Sequence, residues 1–428
     1  MKTCLSSAAR ALVAIALLAL CACSRTGSPG SAGSPESAGI QAGSYRGVLV
    51  SPGGELPFGL ELDHEGSGWT GYLINGAERL KLDEVVVDNA HLEIKMPGYL
   101  NSLAADLKGG QLQGEVVLNK LGENKDQHMP FHAQLGVPYR FYPPVDASAA
   151  PIPNVAGRWA VNFAEEGAKP EFAVGEFTQS QDRVSGTFLT DTGDHRFLEG
   201  QVHDGELYLS TFDGAHAFLY RAKIGADGGL TGDFWSGSGY HEGWTATRDE
   251  HAALPDAYSL TAMRGGGKTF DFSFPDLAGH TVSSKDPQFQ GKVMIVAIAG
   301  SWCPNCHDEA AFLAPLYKDY RGKGLEIVSL MFEHFGDFER AAAATERFRQ
   351  HYGIEYTTLI AGISDKDEAS KKLPMLDRVY GFPTTIFIDR KGQVRKIHTG
   401  FSGPATGEHY TQFVNEVKAE LDQLLAET

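Results

Sequence analysis

Two cysteines three residues apart, in Trp302-Cys303-Pro304-Asn305-Cys306, carry the most reactive chemistry available to this 428-residue chain. The stretch after them has helical character to about residue 320, which puts Cys303 at a helix N-terminus. Unpaired backbone N–H groups and the positive end of the helix dipole lower a thiol pKa there and favour an attacking thiolate. Pro304 is tolerated because a first-turn position has no N–H partner to lose. Cys306, one turn further in, is placed to resolve a mixed disulfide formed on Cys303, so the pair suits thiol–disulfide exchange. Two other chemistries use part of this spacing. Half of a zinc site would need a second Cys or His pair at ligand spacing, and none follows. Cys303-Pro304-Asn305-Cys306-His307 also satisfies the Cys-x-x-Cys-His pattern of covalent haem attachment. Against haem stand an apolar strand just before, Trp302, and Gly381-Phe382-Pro383-Thr384-Thr385 ahead of another strand, none of which haem requires. His307 is then expected to face solvent from the first helical turn.

The elements that must hold this pair are legible around it. The unbroken apolar run over 293–299 reads as a strand buried on both faces. A Gly300-Ser301 turn leads into the helix; 325–331 reads as a second buried strand and 338–352 as a helix. Residues 385–389 and 394–398 form a hairpin around Lys391-Gly392, and Val414, Val417, Leu421 and Leu424 mark one face of a final helix. Strand and helix in alternation, then a hairpin and a helix, is a thioredoxin-like plan.

The rest of the chain reads differently. With 42% hydrophobic and 21% charged residues it is an ordinary globular protein, and a net charge of −17 repels phosphate backbones, so nucleic-acid binding is excluded. Fifty glycines favour turn-rich β architecture, and five cysteines are too few for a disulfide scaffold. Residues 1–23 carry Lys2 and Arg10 before an apolar run too short to span a bilayer, which reads as a secretion signal. Its end, Leu20-Cys21-Ala22-Cys23, resembles a bacterial lipobox, with Cys23 the expected lipidated residue and Cys21 the weaker match. Ser24 after it favours the outer over the inner membrane. Residues 24–44, rich in Gly, Ser, Pro and Ala, form a tether with a reach of about 25 Å. Residues 45–144 and 155–250 then read as two β-rich repeats, each an antiparallel barrel or sandwich, separated by a Pro-rich linker. Four segments recur in order. Tyr45-Arg46-Gly47 faces Arg158-Trp159-Ala160, Gly71-Tyr72-Leu73 faces Gly186-Thr187-Phe188, and Leu92-Glu93-Ile94 faces Leu207-Tyr208-Leu209. Leu112-Gln113-Gly114-Glu115 faces Leu230-Thr231-Gly232-Asp233. Aromatics such as Tyr208, Phe212, Phe218, Tyr220, Phe234 and Trp235 either line a ligand site or fill a core; no metal spacing, nucleophile triad or phosphate loop stands out beside them.

Residues 268–428 resemble the TlpA/ResA-like family of exported, membrane-tethered thiol-disulfide oxidoreductases. The resemblance rests on Phe274-Pro275-Asp276-Leu277 with Gly279 and Thr281, Gly291-Lys292-Val293, the Ser301–Cys306 motif, and Gly381-Phe382-Pro383-Thr384-Thr385. It implies an α/β thioredoxin-like domain with Cys303 as nucleophile, Cys306 as resolving thiol and Pro383 as a cis-proline facing the disulfide. Trp302, Phe382 and Thr384 would touch substrate, and Glu333, after the second strand, would be an acid exchanging protons with the cysteines. Ala297 stands where thioredoxins proper often bury an aspartate, which adds weight to Glu333. No metal or other cofactor is implied beyond the redox-active disulfide. The partners implied are an exported protein disulfide as substrate and a membrane-bound electron donor, in the cell envelope facing the periplasm. The alternatives are a redox-responsive sensor or binding lipoprotein whose repeats engage a partner, and a thiol peroxidase.

Overall fold

The computed structural model describes residues 39–120, 125–144, 151–164, 167 and 169–427. The signal segment, the Cys23 lipidation site and most of the 24–44 tether fall outside the described residues. Gly39–Thr428 forms one compact unit.

Each repeat closes into an eight-stranded, up-and-down antiparallel barrel. In the first, Gly43–Ser51 pairs on one side with Gly54–Glu65 and on the other with Gln127–Leu135, so the meander returns to its start; Glu78–Lys81 is a short extra strand on Gly68–Asn75. In the second, Gly157–Ala164 pairs with Glu171–Ser180 and Tyr240–Arg248, and Gly193–Asp194 is the extra strand on Arg183–Thr190. Closure leaves no sheet edge, and the sandwich alternative falls away. The four recurring segments occupy equivalent strands of the two barrels. Gly114 and Gly232 correspond, and the reason for glycine is the same at both: a Cβ would strike the carbonyl of the neighbouring strand, that of Ala104 or of Arg221.

Most of the candidate aromatics fill cores, while Tyr208 packs against Phe141 and Tyr142 of the segment between the barrels. Phe218, Tyr220 and Phe234 are buried inside the second barrel, where Tyr220 and Phe234 stack with ring centroids 4.5 Å apart. Phe212 packs instead into the apolar cluster of the first barrel, 4.8 Å from Phe58, and Trp235 joins it at the edge. The barrels are therefore fused through a shared apolar face, pinned by Asn75, whose amide donates to Phe212 O (2.9 Å) and accepts from Phe212 N (3.1 Å).

The last domain is a five-stranded sheet in the order Thr357–Ile363, Leu325–Glu333, Val293–Ala299, Thr384–Ile388, Val394–Thr399. The first three strands are parallel and the last two antiparallel. All seven residues of the central Val293–Ala299 strand are buried, which accounts for its continuous apolar run. Four helices pack with it: α1 (Pro304–Tyr320), α2 (Phe338–Tyr352), α3 (Lys366–Lys372) and α4 (Glu408–Ala426). Asp337 caps α2 by accepting from Arg340 N, and left-handed Gly353 ends it. The outer strand Thr357–Ile363 and helix α3 have no counterpart in the sequence reading. Among the described residues no helix is long and apolar enough to cross a membrane.

Candidate active site

Chain reversal after the central strand places Cys303 at the N-cap of α1, with Pro304 as the first helical residue. Cys303 and Cys306 are joined in a disulfide with Cα atoms 5.2 Å apart, and the Cys306 N–H points at Cys303 Sγ (3.2 Å). That N–H and the helix dipole would stabilise a thiolate on Cys303 in the reduced pair. Across from it the Phe382–Pro383 peptide bond is cis, and Phe382 O lies 3.7 Å from Cys303 Sγ. Trp302 is held by its indole N–H on Phe332 O (2.8 Å) and stacks on His334 at 4.6 Å. Thr384 is fully buried, with its hydroxyl donated to Gly381 O (2.8 Å) inside the same loop.

Two carboxyls lie beneath this surface. Glu333, at the end of its strand, is 1% exposed and therefore not a solvated loop glutamate. Ser301 donates to it twice, from N (3.0 Å) and Oγ (2.7 Å), and Thr345 Oγ1 donates at 3.0 Å; burial raises its pKa against these bonds. Its oxygens make no hydrogen bond to a cysteine sulfur among the described residues. Glu309, which the sequence reading passed over, is buried on α1 one turn beyond Cys306. It accepts a hydrogen bond from Thr385 Oγ1, and burial pushes it up to about 7. Thr385 is the cross-strand partner of Ala297. The helix thus supplies a buried acid beside the strand position where the sequence has only alanine. An acid in the apolar stretch Ala310-Ala311-Phe312, three residues after Cys306, was the available signal.

His307 is buried, contrary to the solvent-facing expectation. Its Nε2 is 2.7 Å from Ser301 O and its Nδ1 2.9 Å from Tyr352 Oη. Nε2 therefore carries the proton and donates to the carbonyl, while Nδ1 accepts from the tyrosine hydroxyl. Burial pushes its pKa down to about 3, so the ring is neutral and both nitrogens are occupied within the protein. Tyr99 of the first barrel stacks on it at 3.9 Å, and adjacent Gly98, at φ +72°, is packed so close that a Cβ would meet the imidazole at 2.9 Å.

Arg196 of the second barrel, 4% exposed and with a left-handed φ of 59°, reaches the first turn of α1. It donates to Pro304 O (3.2 Å) and pairs with Asp308 (2.7 Å), Glu78 of the first barrel (2.6 Å) and Asp213 (3.5 Å). One guanidinium cannot neutralise three carboxylates. Burial, with Asp194 and Glu78 adding to it, pushes Asp308 up to about 8 against the pull of Arg196. All three domains thus meet in a buried charge cluster at the start of the redox helix. Among the described residues no group of three or more His, Cys, Asp or Glu is arranged to hold a metal ion.

Known proteins are similar to the C-terminal part of the chain. Residues 266–397 match the AhpC/TSA family model. The ResA thiol-disulfide oxidoreductase of Halalkalibacterium halodurans is 27% identical over 160 residues, 37% of this chain and 79% of that protein. That of Geobacillus kaustophilus is 29% identical over 140 residues, 33% of this chain and 72% of its own. Among solved structures, a thiol:disulfide interchange protein of the thioredoxin family from Chlorobium tepidum is similar at 21% identity, covering 36% of this chain and 99% of that one, with a TM-score of 0.27. None of these matches extends over the whole chain. The C-terminal third of the chain is a thiol-disulfide oxidoreductase domain of the thioredoxin-like type, preceded by two antiparallel barrels.

Proposed function

We propose that this protein is an envelope-tethered reductase of disulfides in exported proteins. The observation that carries the reading is the Cys303–Cys306 pair at the N-terminus of α1 facing the cis Phe382–Pro383 bond. In the reduced protein the Cys303 thiolate attacks one sulfur of the substrate disulfide, forming a mixed disulfide and releasing the other sulfur as a thiolate. Cys306 then attacks Cys303, releases the second substrate thiol and leaves the Cys303–Cys306 disulfide. Deprotonating Cys306 needs a base, and Glu333 and Glu309 are two buried carboxyls of this domain that burial raises, Glu309 to about 7. Trp302, beside the sulfur, is a substrate contact. A membrane-bound donor would return the electrons, and Cys23 with the Gly- and Ser-rich segment between it and the first barrel would hold the protein at the periplasmic face of the outer membrane.

Insulin reduction, together with trapping by Cys306→Ser, tests this reading. Cys306→Ser should accumulate mixed disulfides through Cys303, whereas Cys303→Ser should not; equal trapping by the two variants would sink the assigned roles. A second reading, a redox-responsive partner protein, draws support from the grip of Arg196 and Tyr99 on the redox helix. Turnover without a barrel-binding partner separates it from the first.

A further inference from the structure

Cys303, itself only 5% exposed, is closed off on one side. The closed side is occupied by residues 190–196 of the second barrel. Tyr380 Oη donates to Asp191 Oδ2 (2.6 Å), and Thr192 lies over Gly381 and Gly400, at both of which a Cβ would run into this segment. Gly193 presses on Asn305 inside the Cys-x-x-Cys turn, and Asp194 accepts from Gly403 N (2.7 Å). The packing is backbone-deep, so no polypeptide can lie along the Gly381-Phe382-Pro383 loop while it persists.

A cavity of about 340 Å³ lies between the barrels and the redox domain, next to the Cys-x-x-Cys turn, although neither cysteine lines it. Trp302 and Pro304, the neighbours of Cys303 on either side, form one wall; Leu100, Lys120 and His216 belong to the other. Lys120 is the one lysine or arginine lining it, and its amine has no hydrogen-bond or ion-pair partner among the described residues. Burial lowers its pKa while Asp213 raises it, but Asp213 is already paired with Arg196 and His216. Glu333 also lines the cavity; its carboxyl is satisfied by Ser301 and Thr345, and burial favours its uncharged form. A half-buried cation with no ion-pair partner among the described residues, in a hollow lined by both neighbours of Cys303, is completed by an anion brought by the substrate.

We propose that this cavity is the substrate site and that Lys120 selects disulfides flanked by acidic residues, with the 190–196 segment barring approach from the cis-proline side. The proposal rests on the reading of the protein as a disulfide reductase. The net charge of −17 supplies no long-range attraction for acidic peptides, so a preference for them has to arise locally.

The test uses the full-length, pre-reduced protein in single turnover with two disulfide-linked peptide dimers, one with glutamate and one with glutamine on both sides of the cysteine. Each turnover converts one peptide disulfide and the enzyme dithiol into two peptide thiols and the enzyme disulfide, read as released peptide. At low salt the glutamate peptide should be reduced about tenfold more efficiently, equivalent to about 1.4 kcal/mol. That ratio should fall to near one in Lys120→Gln and recover in Lys120→Arg, and because each variant is its own reference, a general loss of activity does not mimic it. A ratio near one in the wild type, the wild-type ratio surviving in Lys120→Gln, or reduction of insulin but of neither peptide would overturn the proposal. Failure to reduce any disulfide, insulin included, would defeat the reductase reading instead.

Discussion

Replacing Arg196 with methionine removes the one cation that Glu78, Asp213 and Asp308 share, leaving three carboxyls in a site where the side chains are between 1% and 12% exposed. Breaking a buried pair from one side costs about 3–5 kcal/mol, because the surviving charge is left uncompensated. Here the cost depends on pH. Burial pushes Asp308 up to about 8 even with Arg196 present, so near pH 5 it is protonated and needs no cation. Losing the guanidinium, which lowers both Asp308 and Asp213, raises their pKa values, so the variant binds more protons than the wild type and its deficit grows with pH. The expected destabilisation is about 2 kcal/mol near pH 5 and about 4 kcal/mol near pH 8. Urea denaturation followed by far-ultraviolet circular dichroism at both pH values measures it, with the slope of the transition checked for two-state behaviour. Adding Asp308→Asn to Arg196→Met should recover part of the loss at pH 8. A destabilisation below about 1 kcal/mol at pH 8, or one that does not change with pH, would refute the assignment of Arg196 as the keystone of this cluster.

Glu309, raised by burial to about 7, binds its proton more tightly folded than unfolded. Its contribution is therefore fully present below the unfolded carboxyl pKa and lost as pH rises through about 7; Glu309→Gln should flatten the stability profile between about pH 4.5 and 7 and slow the resolution of mixed disulfides, whereas an unchanged profile removes Glu309 from proton transfer. Glu333→Gln should change the pH dependence of Cys303 alkylation, and an unaltered curve would leave Glu333 a structural acid held by Ser301 and Thr345. Intact-mass analysis of membrane-extracted protein should find acyl chains on an N-terminal Cys23; a freely soluble mature chain beginning elsewhere would refute lipidation.

The redox centre was legible because its chemistry is local. A Cys-x-x-Cys after a seven-residue apolar run declares a buried strand, a turn and a helix start within fourteen consecutive positions, and Val293–Ala299 with α1 follows that plan. Strand order in the repeats was legible for the same reason, since alternation and turn residues set each hairpin independently, and the duplicated segments fall on equivalent strands. Barrel closure was not. It depends on Gln127–Leu135 meeting Gly43–Ser51 some eighty residues back, and no local pattern separates a closed meander from an open one. The neighbours of the active site lay further out of reach. His307 reads as a surface residue until Tyr99 stacks on it from more than two hundred positions away. Arg196 carries no signal in the sequence, because Glu78 and Asp308, each over a hundred positions distant, surround it only in the fold. Periodicity reports whether a residue faces its own sheet or helix core. It carries no information about burial between domains, where charged side chains replace apolar ones and the pairing is set only when the three folded bodies dock.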